Sequence, residues 1–380
     1  MTTTSASSCR CGSRALRIRA LVAERVRNLA PVQLEPRERF NVFVGDNGQG
    51  KTNLLEAIYV VATLRSFRTS KLADLVAFGQ PGAKLGARVD KDGLVRVYEV
   101  ELAPGSRKVR LDGKAPRPLS RYFGGFNVVV FTPEDLALPR GAPGDRRRFL
   151  DRGVFNFDPG YLAVASDFDK VLRTRNTVLK QAAQGVIAGP RVDDLLDIYD
   201  AQLARLATQI VAARQRFLAA LSPQLEAAFS AITRTGRVAG ARYESRLSGL
   251  SEAEVAARLR ENRTRDLAAQ TTTLGPHRDD VVLSLDGHEA GSFASQGQLR
   301  AIMLAWKTAE LEVLGRAHGD SPILLLDDVS SELDASRNEF LFEHLANLAG
   351  QCFITTTHGS HVLLGRDRAD YRIQAGQILV

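Results

Sequence analysis

The sequence predicts an α/β protein, with a mixed, largely parallel sheet and an antiparallel β meander, joined to a mainly helical lobe or arm. Three observations carry that expectation. Residues 40–44, 323–326 and 352–355 are short apolar runs of the kind buried on both faces of a parallel sheet. Residues 85–89, 94–102 and 107–111 alternate polar and apolar, punctuated by Lys91-Asp92-Gly93 and Asp112-Gly113-Lys114. From about residue 145 to 268, apolar side chains recur at helical spacing.

In chain order, residues 16–22 and 40–44 read as strands, and the second runs straight into glycine. Residues 52–64 then read as a helix, with Leu54, Leu55, Ile58 and Val61 on one stripe. The meander follows, and a strand at 126–131 is stopped by Thr132-Pro133. In the helical middle, Leu196, Tyr199, Leu203, Leu206, Ile210, Phe217 and Leu221 form a bundle-type seam that Pro223 should end or kink. A strand at 281–285, a helix at 298–314 and the strands at 323–326 and 352–355 complete the pattern. The implied organisation is a tail (1–13), the N-terminal part of a head (14–135), a helical arm (136–270) and the C-terminal part of the head (271–380).

Composition narrows the classes. At 380 residues and 44% hydrophobic content, the chain can bury a substantial core. Its 51 basic against 43 acidic residues give a net charge of +8, compatible with a nucleic-acid partner and not diagnostic of one. Three cysteines argue against a disulfide framework and suit a reducing cytoplasm. Cys9 and Cys11 form an incidental pair in a Ser/Thr-rich tail that reads as disordered, and Cys352 sits in an apolar strand. No run approaches the roughly 20 apolar residues that span a bilayer, so no membrane role is expected.

Three motifs carry chemistry. Gly45-Asp46-Asn47-Gly48-Gln49-Gly50-Lys51-Thr52 fits G-x-x-x-x-G-K-[ST], whose glycines let backbone N–H groups converge on phosphates at a helix start. Lys51 would reach the β- and γ-phosphates, and the Thr52 hydroxyl would ligate Mg2+. Next, the apolar strand at 323–326 ends in Asp327 and Asp328. At the carboxyl end of a parallel strand, Asp327 is placed to hold Mg2+ through water and Asp328 to position or deprotonate an attacking water. The third is Ser295-Gln296-Gly297-Gln298, for which an ordinary N-cap is the simplest interpretation taken alone.

Taken in order, and followed by Ser331-Glu332-Leu333-Asp334, these motifs resemble the ATP-binding-cassette head, with its phosphate loop, signature, Walker B strand and D-loop. Within that superfamily the chain resembles the RecF family, bacterial recombination and gap-repair ATPases related to SMC heads. The matching stretches are Arg27-Asn28-Leu29, the phosphate loop and helix start from Gly45 through Ile58, Arg65-Ser66-Phe67-Arg68, and Phe131 to Leu136. They continue with Arg146-Arg147-Arg148-Phe149-Leu150-Asp151, Arg175-Asn176, Gly275-Pro276-His277-Arg278-Asp279-Asp280, and the two C-terminal motifs. The resemblance implies an ATP- and Mg2+-dependent switch, with Arg27, Asn28 and Asn53 beside the loop. Ser295 and Gly297 of one copy would close on the γ-phosphate held by Lys51 of another. It further implies binding to gapped DNA or single-strand/double-strand junctions, work with RecO and RecR in loading RecA, fork maintenance, and a cytoplasmic, nucleoid-associated location.

The sequence also departs from the cassette pattern. A shorter Asp328 stands where many cassette ATPases place Glu after the Walker B acid, which implies slow turnover, and the family resemblance implies a weak ATPase stimulated by DNA. Thr357 and His358 compete for the switch position. For DNA, Arg65, Arg68 and Lys71 follow the first helix, and Arg140, Arg146, Arg147, Arg148 and Arg152 form a denser cluster. Each is also compatible with a solvated face, and the run at 146–148 with structural ion pairs. His277 fits a structural hydrogen bond better than a metal site, there being six histidines and no H-x-x-x-H. The alternative functions are a small-molecule kinase, which has no use for S-x-G-Q, a transporter's nucleotide-binding subunit, and an SMC head, which needs a far longer coiled coil.

Overall fold

In the computed structural model the described residues are 16–348 and 350–379, with 346–348 described by backbone alone. The N-terminal tail with Cys9 and Cys11 lies outside them. The chain divides into two compact units, one running to Pro133 and resuming at Leu311, the other Glu134–Glu310.

The first unit holds two sheets. In the six-stranded sheet the order is Gln377–Leu379, Arg368–Gln374, Phe40–Val44, Cys352–Thr356, Ile323–Asp327, Val128–Phe131. All neighbours are parallel except the first pair. Ile323–Asp327 and Cys352–Thr356 are buried at every residue, which is why they read as continuous apolar runs. The five-stranded sheet is antiparallel, in the order Val32–Leu34, Leu16–Glu24, Ala83–Lys91, Leu94–Ala103, Ser106–Leu111. Its central hairpin turns on Asp92 and Gly93, both at positive φ (56° and 83°), the primed turn that matches strand twist.

Between the sheets runs the helix Lys51–Thr63, which touches strands of both. Every residue from Leu54 to Thr63 is buried, so its sequence is apolar all round rather than amphipathic. Gln351 links the sheets further. Its Oε1 accepts from Ile18 N (2.7 Å), and its Nε2 donates to the carbonyls of Ile18 (3.1 Å) and Arg37 (2.8 Å).

The second unit is mainly helical, with Pro143–Phe157, Tyr161–Ala183, Pro190–Thr233, Glu252–Glu261 and Arg263–Ala269. Two sequence expectations need correction here. Pro223 does not end the long helix, which continues to Thr233. Leu225, Ala228, Phe229 and Ile232 stay buried beyond it, and that burial offsets the roughly 3 kcal/mol cost of an internal proline. The stretch expected to be helical also contains a strand, Ala239–Glu244, paired antiparallel with Asp280–Leu285. Its small and charged residues give little β signal, and a partner some 40 residues away supplies the ladder.

Buried charges in this unit are paired. The fully buried Arg175 donates to Asp200 (2.7 Å), Asp266 (2.7 Å) and Thr272 (2.9 Å). Arg214 grips Asp151 through two bonds (2.8 and 3.0 Å) and donates to the Pro276 carbonyl (2.8 Å). Among the described residues, no helix is long and apolar enough to cross a membrane.

Candidate functional site

The strand Phe40–Val44 leads directly into the glycine loop, and two of its glycines are fixed by contact. A Cβ at Gly45 would lie 2.3 Å from the Ile373 carbonyl oxygen. At Gly50, φ is 108° and a Cβ would come within 2.9 Å of Leu29 Cδ2. No side chain caps the helix that starts at Lys51, so its first N–H groups are left to other acceptors. Lys51 is 6% exposed. Its Nζ donates to the carbonyls of Gly45 and Asp46. Burial holds its pKa below the usual lysine value, against the pull of Asp328, Asp327 and Asp46. A bound phosphate would reverse that shift.

Thr52 and the Walker B strand meet. Thr52 Oγ1 donates to Asp327 Oδ1 at 2.9 Å, although 275 residues separate them. Thr355, at the end of the neighbouring strand, donates to the same oxygen at 2.7 Å and fixes the carboxylate from the other side. Asp328 is in the left-handed region (φ 48°), with its N–H shared between Thr355 O and Oγ1, both at 3.1 Å. Its Oδ1 is buried without a hydrogen-bond partner. A non-glycine residue at positive φ with an unpaired buried oxygen is the kind of strain found at functional sites. Thr52 and Asp327 offer hard oxygen donors, and Mg2+ is commonly held by one or two such groups plus substrate phosphates. The site therefore fits that ion.

Around the loop, Asn28 Nδ2 donates to the Gly48 carbonyl (2.7 Å), and Asn53 Nδ2 donates to Asn28 Oδ1 (2.6 Å). Arg27 is turned to the buried Glu56, with bonds of 2.6 and 2.9 Å. Arg68 donates to Asn53 (2.7 Å) and approaches Glu56 (3.4 Å). Asp46, Asn47, Arg65, Arg68 and Lys71 are exposed. Sequence reasoning missed Thr355 and Glu56. Thr355 had one visible signal, a hydroxyl at the carboxyl end of an apolar strand, whereas Glu56 showed only as part of the stretch that carries the family resemblance.

The signature motif lies in the second unit. Ser295 and Gln298 form a reciprocal capping box: Ser295 Oγ accepts from Gln298 N (3.3 Å), and Gln298 Oε1 accepts from Ser295 N (2.8 Å). Gln296 and Gly297 open the helix Gln296–His318, two residues earlier than expected. The arginine run of this unit is largely engaged. Arg146 forms a two-bond pair with Asp280, Arg147 donates to the Asp279 carbonyl (2.7 Å), and Arg152 pairs with Asp135 (2.6 Å). Arg140 donates to the carbonyls of Gly291 (3.1 Å) and Ala294 (3.0 Å), just ahead of Ser295. Arg148 remains exposed beside Asp145.

Of the histidines, His277 is largely buried, with Nε2 3.0 Å from the Thr272 carbonyl and its pKa pushed down by burial to about 4. It is held neutral. His358 is exposed, and its N–H bonds Thr356 Oγ1 (3.2 Å), while Thr357 is half-buried. Burial pushes the Cys352 thiol up to about 12, so that cysteine is inert.

A parallel sheet, a glycine loop with its lysine, and an acidic strand meeting the loop's threonine define an ATP-binding-cassette type of P-loop head. Residues 17–375 match the RecF/RecN/SMC N terminal domain family. The DNA replication and repair protein RecF of Myxococcus xanthus is 43% identical over 91% of this chain and 92% of its own length. That of Anaeromyxobacter sp. is 41% identical over 96% and 99%. The chain belongs to the RecF family, ATP-binding ATPases of DNA repair and recombination. A solved structure of the recombination mediator protein RecF with ATP, from the RecFOR pathway, superposes with a TM-score of 0.87 at 30% identity, covering 97% of this chain and 98% of that one. An SMC head bound to the C-winged helix domain of ScpA shares the fold, with a TM-score of 0.52 at 14% identity over 96% of this chain and 97% of that one. Whole-length agreement with RecF disfavours a transporter subunit.

Proposed function

We propose that this protein is an ATP-operated switch that closes as a dimer on gapped DNA or single-strand/double-strand junctions and is released by slow hydrolysis. In this reading it acts with RecR and RecO to support RecA loading, in the cytoplasm at the nucleoid. The observation that carries it is the 2.9 Å bond between Thr52 and Asp327, which joins the phosphate loop to the acidic strand. Gly45 to Thr52 and Asn53 form the nucleotide cradle, Lys51 neutralises the β- and γ-phosphates, and Asn28 braces the loop. Thr52 and Asp327 would hold Mg2+, which offsets phosphate charge when bound. Asp328 orients or deprotonates the attacking water, and its short side chain supports slow turnover. Ser295 and Gly297 of a second copy complete the site, at a helix start that suits the γ-phosphate. Arg65, Arg68, Lys71 and Arg148 are exposed cations suited to DNA phosphates, whereas Arg146 and Arg147 support that contact less, being engaged internally.

Sedimentation velocity with and without ATP tests the switch. ATP should raise the dimer fraction and retention on gapped duplex, and Ser295→Arg should abolish both. A chain that stays monomeric with ATP would refute it.

A further inference from the structure

The phosphate loop is gripped from outside by the far end of the chain. Strand Arg368–Gln374 and strand Gln377–Leu379 form a hairpin whose turn residues, Ala375 and Gly376, both have positive φ (48° and 78°). Their successive N–H groups converge on one loop residue. Ala375 N donates to Gln49 Oε1 (2.5 Å) and Gly376 N to the Gln49 carbonyl (3.0 Å). The Gly376 carbonyl in turn accepts from Ala30 N (3.0 Å). A Cβ at Gly376 would sit 2.1 Å from the Asn28 carbonyl oxygen, so no other L-residue fits there. Asn28 itself holds the Gly48 carbonyl (2.7 Å).

These contacts have a directional consequence. In a trans peptide the C=O of one residue and the N–H of the next point in opposite directions. Donors that hold the carbonyls of Gly48 and Gln49 therefore turn the N–H groups of Gln49 and Gly50 the other way; that of Gln49 makes a long 3.4 Å bond across the loop to the Asp46 carbonyl, which an incoming phosphate can replace. Backbone donors so aligned are what a phosphate cradle needs. We infer that the turn at 374–376, together with Asn28, is a positioning element that sets the 48–50 peptides of the phosphate loop for nucleotide. The C-terminal hairpin thereby controls nucleotide affinity without touching the nucleotide. The inference rests on the loop's being the ATP site.

Binding of fluorescent ATP and ADP analogues to the full chain, alongside melting of the nucleotide-free protein, tests it. Gly376→Ala should weaken both nucleotides by about tenfold, the loss of one or two hydrogen-bond equivalents. Gln49→Ala, which removes only the side-chain acceptor, should weaken both by about threefold and stay folded. Ile378→Ala, a core-packing change in the same hairpin, should lower the melting temperature and leave affinity in place. Unaltered affinity in a folded Gln49→Ala and Gly376→Ala would overturn the inference. So would Ile378→Ala weakening ATP as much as Gly376→Ala, because hairpin stability alone would then explain the effect. If the unmodified chain binds no better than Lys51→Ala, the site assignment itself fails.

Discussion

Lys51 and Arg175 are both buried cations, and they are held in opposite ways. Lys51 donates to two backbone carbonyls and stands near carboxylates that also face the loop. Arg175 is locked by two carboxylates and a hydroxyl. In the proposed reading, Lys51 awaits an exchangeable anion and is held by weak, replaceable acceptors, so that a bound phosphate would regain what burial has cost. A cation that organises a fold is held by fixed carboxylates, and removing Arg175 leaves Asp266 buried among the neutral donors Asn262 and Thr273, while Asp200 keeps Arg263. The same contrast sorts the arginine run, where Arg146 and Arg147 are engaged within their own unit while Arg148 stays exposed.

Three changes would break or sharpen this contrast. Arg175→Ala should cost about 3–5 kcal/mol in chemical denaturation, with ATP affinity of the folded protein unchanged. A cost below about 1 kcal/mol would remove the structural role. Lys51→Ala should do the reverse, weakening ATP about 100-fold, near 3 kcal/mol, with little change in the nucleotide-free melt. A comparable loss of fold stability would erase the distinction. The third concerns His277, a buried neutral group in the structural unit. Its unfolded pKa lies near 6.5 and its folded pKa near 4. Between those values the unfolded chain binds the extra proton, so the stabilisation is present above pH 6.5 and is lost as pH falls toward 4. The drop should be about 2–3 kcal/mol, and it should flatten in His277→Gln. An identical pH profile in the variant would assign the titration elsewhere.

How much of this was legible in the sequence depended on range. The phosphate loop could be read because its motif lies within eight consecutive residues, and the Asp327 strand because full burial leaves an unbroken apolar run. The Asp92-Gly93 hairpin could be read because turn chemistry is local. What escaped were features made by distant chain. The hydroxyl of Thr355 on Asp327 depends on strand order, Glu56 under Arg27 on helix placement, and the 375–376 grip on Gln49 on a hairpin 326 residues away. Pro223 does not end its helix because burial outweighs local helix chemistry, and the strand Ala239–Glu244 was missed because its partner, not its composition, makes it a strand.

The central claim is that the ATP site is finished by a second copy, and mixing two inactive variants tests it most directly. Lys51→Ala lacks the phosphate anchor, and Ser295→Arg lacks the closing signature. Each alone should show no ATPase activity with gapped DNA. A mixed dimer would hold one site with both defects and one site with neither, so mixing should restore activity. Two variants that remain as inactive together as apart, while both stay folded, would contradict a shared site.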